Sequence, residues 1–218
     1  MSALINRLTR DHRRFGRIMT LLEGLVARFH GGEEPDYELM CELLEYVVDY
    51  ADQVHHRSEE LIFAAMGEAI SKTAPGAGSG TDSPPQSGEL SATAQPTGID
   101  AVALQQALDS LSAQHQQLED MNRAFRDAIE GIVHEEVLSR DTVAEQGQAM
   151  ISLMRTHIAD EEARVFPAAR ELLSTDDWVR LEAQAPSAAD PVFGQLDPLR
   201  FRTLYDYLKD ELDAEDAE

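Results

Sequence analysis

Four histidines in this 218-residue chain sit where a helical apolar pattern calls for a hydrophobic side chain. His12 falls between Leu8 and Phe15, in a stripe that runs Ile5, Leu8, His12, Phe15, Met19, Leu22, Val26, Phe29. His55 continues Met40, Leu44, Val48, Ala51, and His115 continues Leu104, Leu108, Leu111. His157 follows Met150 and Met154. Two stripes carry a glutamate four residues on, at His55/Glu59 and His157/Glu161. Such a pair shares one helix face, about 6 Å apart at the Cβ atoms, so both side chains can reach one metal ion, or the carboxylate can bridge two.

A lone histidine on an apolar face is more often a satisfied core residue, and H-x-x-x-E alone is a weak signal in an acidic chain. His30/Glu34 spans Gly31-Gly32 and cannot be a helical pair. His56/Glu60 lies about 100° off the stripe and is expected to flank the site or to face solvent. The joint pattern is different in kind. Four imidazoles and two carboxylates at one buried level cost several kcal/mol in desolvation unless a cation takes them as ligands. The candidate metal ligands are therefore His12, His55, Glu59, His115, His157 and Glu161.

Depth along the helices can be read without coordinates. Residues level with each other in an antiparallel hairpin are equidistant from its turn. The midpoint of His12 and His55 falls near Glu33-Glu34, inside a turn marked by Gly31-Gly32 and Pro35-Asp36. The midpoint of His115 and His157 falls at Glu136, inside a predicted break between about His134 and Asp141, with Ser139 the expected N-cap. Each histidine then lies roughly 27–32 Å from its turn at 1.5 Å per residue, so all four rings can share one layer.

The elements that must position them are helices nearly throughout. The expected architecture is all-α: two antiparallel helical hairpins forming one up-down-up-down four-helix bundle over residues 1–173, and a short helical C-terminal extension with an acidic tail over 174–218. Thr73 to Gly98, rich in Pro, Gly, Ser and Thr, reads as a flexible insert joining the hairpins. Pro167 is expected to kink the fourth helix or to mark a tightened last turn. Two weaker helices are expected at Asp176–Ala185 and Pro198–Leu212. Trp178, Phe193, Phe201, Leu204 and Leu208 look like packing residues that cap the bundle or meet a second subunit in a homodimer.

With 41 acidic against 18 basic residues the chain carries a net charge of −23, which disfavours nucleic acid and anionic membrane surfaces as partners. No apolar run approaches membrane-spanning length. Cys41 is the single cysteine, so neither an internal disulfide nor a multi-thiolate metal site can form. The first residues lack a secretory signal, and a reducing cytoplasm is the expected location.

Imidazole plus carboxylate without thiolate suits iron, manganese or zinc, and six ligands exceed what one tetrahedral zinc uses. The ferritin-type signature, Glu three residues before His, is absent; His55 has only Asp52 there. Arg10-Asp-His-Arg-Arg-Phe15, His55-His-Arg-Ser-Glu-Glu60 followed by Leu61-Ile-Phe63, and His157-Ile-Ala-Asp-Glu-Glu-Ala-Arg-Val-Phe-Pro167 together resemble the hemerythrin-like, or HHE cation-binding, family. The resemblance covers about residues 4–172. It implies a pair of iron ions in an oxo- or hydroxo-bridged di-iron centre, held by His12, His55, Glu59, His115, His157 and Glu161, with the two glutamates bridging. One departure stands out. Animal hemerythrins carry two histidines four apart on the third helix, whereas this chain has His115 and then Glu119, either a carboxylate ligand or an exposed residue.

The function so implied is a non-haem di-iron protein that binds, senses or reacts with oxygen, nitric oxide or peroxide. Two alternatives stay open: iron donation for iron–sulfur cluster repair, and a zinc-bound or metal-free helical interaction module.

Overall fold

The computed structural model describes residues 2–73, 100–194, 197 and 199–215. Among them every regular element is helical and no strand occurs. Six continuous helices result: α1 (Ala3–His30), α2 (37–73), α3 (Ala101–Val133), α4 (140–172), α5 (Thr175–Gln184) and α6 (Arg202–Glu215). None is long and apolar enough to cross a membrane. The proposed flexible insert lies outside the described residues except for Thr73, the last residue of α2. The start of the acidic tail, 213–215, is helical, and 216–218 lie outside the description.

Side-chain caps set the helix starts. Ser2, Asp36, Asp100 and Ser139 each accept a hydrogen bond from a backbone N–H of the following turn, and Ser174 with Asp177 forms a reciprocal capping box. The long helices end in matching fashion. At the end of α1 the Glu33 N–H returns to the Arg28 carbonyl at 3.1 Å, around Gly32 at φ +88°. At the end of α3 the Glu136 N–H returns to the Gly131 carbonyl at 2.9 Å, around Glu135 at φ +65°. Both satisfy orphaned carbonyls in the same way, but glycine adopts the left-handed conformation at no steric cost and Glu135 does not.

Helix α1 packs on α4, α4 on α3 and α3 on α2, while α5 touches α1 and α2, and α6 covers α2. Gly147 shows how closely α4 approaches its neighbours: a Cβ there would stand 2.7 Å from Phe125 and 3.0 Å from Val26. The apolar interior is in two parts. One, nearer the turns, gathers Phe15, Met19, Leu22, Met40, Leu44, Phe125 and Met150. The other, at the opposite end, gathers Ile5, Leu8, Ile62, Met66, Leu108, Val165 and Phe166. A buried layer of histidine and glutamate lies between them.

The C-terminal extension packs on its own chain. Phe201, Leu204 and Leu208 are buried and Phe193 half-buried against the turn-side core, and Trp178 packs against the far core. The fifth helix begins at Thr175, one residue before the expected Asp176, but the sixth begins at Arg202 rather than Pro198, after a turn that includes 199–200.

Neither α2 nor α4 is a regular α-helix throughout. Residues Val47–His55 and Glu161–Val165 are wound as π-helix. The second stretch ends two residues before Pro167, which lacks an N–H to donate; the helix there widens rather than tightens.

Candidate metal centre

The two widened stretches are what bring the ligand-type side chains together. A regular helix turns about 100° per residue, so adjacent residues cannot both face the interior squarely. Across the π stretch of α2 the inward arc broadens: Tyr50, Ala51, Asp52, Val54, His55 and His56 are all buried. Val47 is fully buried in place of the expected Val48. His56, expected to flank the site or face solvent, is only 4% exposed and lies inside it. Regular helical periodicity could not have placed it, because the nine residues before it are π-wound.

All six sequence-derived candidates, His12, His55, Glu59, His115, His157 and Glu161, converge in this layer, each at most 7% exposed. They fall into two groups whose ligand atoms lie within 4.8 Å of one another: His12, His55 and Glu59; and His56, Glu59, His115 and His157. Glu59 belongs to both. Its Oε1 stands 2.9 Å from His55 Nε2 and 3.2 Å from His12 Nε2, and its Oε2 stands 3.3 Å from His115 Nε2. Glu161 spans the groups likewise, with Oε2 3.3 Å from His12 Nε2 and Oε1 3.3 Å from His157 Nε2. Each glutamate thus turns one oxygen to each set of histidines.

Behind every ring stands a group that fixes it. His12 Nδ1 meets Glu162 at 3.0 Å, His55 Nδ1 meets Asp11 at 3.4 Å, His115 Nδ1 meets Glu60 at 2.7 Å and His157 Nδ1 meets the Gln114 side-chain oxygen at 3.1 Å. Asp52, itself held by Asn122, lies 3.4 Å from His56 Nδ1. These partners are acceptors, so each Nδ1 carries its proton as donor, and Nε2 is left to ligate. Phe166 stacks on His12, Phe63 stacks on His115, and Phe15 meets His55 edge-on, which keeps the layer dry.

Without a cation this arrangement is under electrostatic load. His115 Nε2 and His157 Nε2 are 2.9 Å apart, yet both rings use their Nδ1 protons elsewhere. Glu59 Oε2 and both Glu161 oxygens are buried without a hydrogen bond. Protons must stand in. Burial alone would lower His12 and His55, but the surrounding carboxylates outweigh it and raise both above the ordinary imidazole value. His115, against the same opposition from burial, is raised by Glu161, Glu59 and Glu60 to about 11. Burial would raise Glu59 and Glu161, and the facing imidazoles hold both below the usual carboxylate range. His56 moves the other way: burial and the nearby His115 charge push it down to about 4, so it stays neutral and free to ligate. Orphaned carboxylate oxygens opposite a shell of nitrogen lone pairs fit a bound metal ion.

Glu119 is not in the buried groups. It is partly exposed, pairs with Arg123 at 2.8 Å, and lines the rim of a cavity of about 260 Å³ whose lining includes His56 and His115. His30 and His134 are exposed, and His30 faces Asp141 at 3.0 Å.

Comparison with family models, with curated proteins and with solved structures returned no match for this chain.

Proposed function

We propose that the chain is a hemerythrin-like di-iron protein in which α1 to α4 form an up-down-up-down four-helix bundle. The supporting observation is that Glu59 and Glu161 each present one oxygen to either histidine group, as bridging carboxylates between two metal ions would. On this reading His12 and His55 hold one iron and His56, His115 and His157 the other. That set of five imidazoles and two carboxylates makes His56 the substitute for the histidine missing four residues after His115.

Bound there, the iron pair supplies an electron-rich centre able to take up oxygen, nitric oxide or peroxide. The chain's own contribution is positional. Glu162, Asp11, Glu60 and Gln114 hold the rings in one tautomer, which also makes each imidazole a better donor. The phenylalanine walls exclude bulk water and strengthen every charge interaction inside.

Metal analysis with a visible spectrum of aerobically purified protein tests the proposal. Two irons per chain with ferric visible absorption support it. One zinc, or no metal and no colour, supports the interaction-module alternative instead.

A further inference from the structure

The ligand layer is sealed on most sides: His12, His55, Glu59 and Glu161 are at most 3% exposed. His56 and His115 differ, because both also line the cavity of about 260 Å³ between α2 and α3. Its lining carries the partly exposed Glu60 and Glu119 and, deeper, Asp52; Arg57 is the guanidinium in the lining, and Arg123 pairs with Glu119 from beside it. Glu60 joins surface to interior, being 45% exposed while accepting from His115 Nδ1 at 2.7 Å. His56 lies 4% exposed on the cavity's inner side, with Asp52 3.4 Å from its Nδ1 and the His115 ring stacked on it at 4.4 Å. A nearly buried imidazole thus faces a polar vestibule lined by carboxylates.

We propose that this cavity is the entrance through which a hydrated divalent cation reaches the buried site, with Glu119 and Glu60 drawing it in and His56 the first nitrogen to replace its water. A six-water shell occupies about 180 Å³ at roughly 30 Å³ per water, which the cavity accommodates. Carboxylates at a narrow mouth raise the local concentration of a cation, whereas neutral oxygen would gain nothing from them. A larger cavity, about 740 Å³ along α1, has the wrong character: Arg13, Arg17 and Arg28 line it, and no member of the ligand layer does. The inference rests on the site binding metal, though not on that metal being iron.

The test is the rate of cobalt(II) uptake by the metal-free full-length chain, followed by absorbance at low ionic strength. Glu119→Lys is expected to load roughly tenfold more slowly than the unaltered chain, with Glu119→Gln between them and Arg57→Gln faster, differences that shrink at high salt. Glu145→Lys, on an exposed stretch of α4, is expected to load at the unaltered rate. Final stoichiometry should be equal in all. Uptake at the unaltered rate in Glu119→Lys, or equal slowing in Glu145→Lys, overturns the entrance. Failure of the unaltered chain to bind cobalt at any time overturns the metal site itself.

Discussion

The two ligand groups differ in how they are built. His12, His55 and Glu59 come from two helices joined by a short turn, each at a position that regular helical spacing assigns to the interior. The second group draws His56, Glu59, His115 and His157 from three helices, includes a residue that regular spacing turns away, and alone reaches a surface cavity. One half is closed and matches regular spacing, although His55 is itself the last π-wound residue; the other borders a cavity and takes in a residue that only the widening turns inward. The difference teaches that a ligand-type cluster and its contact with the surface can be built from separate parts: one group is closed over by its neighbours, and the other borders a cavity.

Removing the residue common to both groups should have the largest effect. Glu59→Gln is expected to abolish metal binding at both positions, read as near-zero metal per chain after reconstitution. One full equivalent retained would mean the groups are independent. In the metal-free protein the same change leaves buried imidazolium charge unpaired and should destabilise by about 3–5 kcal/mol, visible in denaturant melts. His56→Ala should act on the open half alone and lower metal content from two equivalents to one. Full occupancy in that variant would return His56 to the bystander position expected from sequence.

Asp11→Asn is confined to the closed half. It keeps the shape behind His55 but weakens the acceptor, and metal affinity there should fall roughly 10–100-fold with the open half unchanged, by competition against a chelator. The smallest effect is on pH dependence. In the metal-free protein the raised His115 contributes stability that is complete below the ordinary imidazole value near 6.5 and is lost as pH climbs towards about 11. Metal-loaded protein has already surrendered those protons. The stability gap between loaded and metal-free protein should therefore widen from pH 6.5 to 9 in paired calorimetric scans, and a constant gap would contradict the proton inventory.

Much of this was legible in the sequence because it follows from regular geometry. Gly31-Gly32, Asp36 and Ser139 mark turns where the structure has them, and equal distances from those turns bring His12 beside His55 and His115 beside His157. Legibility stopped where the geometry stopped being regular. Val48 yielded its interior place to Val47, and His56 came inward, for one reason: Val47–His55 is π-wound. Pro167 signals an irregularity, and of the two forms expected the tightened turn is not what is found, since a missing donor is as compatible with a wider turn as with a tighter one. Glu119, left open between ligand and surface residue, found its partner in Arg123, a surface pairing four residues away that composition does not single out in so charged a helix.

The π stretch of α2 has a further consequence, for how such a chain can change over time. Loss of one residue there would let the stretch rewind as regular α-helix, and with it would go the broadened arc that brings His55 and His56 inward side by side. The number of residues between Tyr46 and His56 therefore matters to this buried layer as much as the side chains that line it.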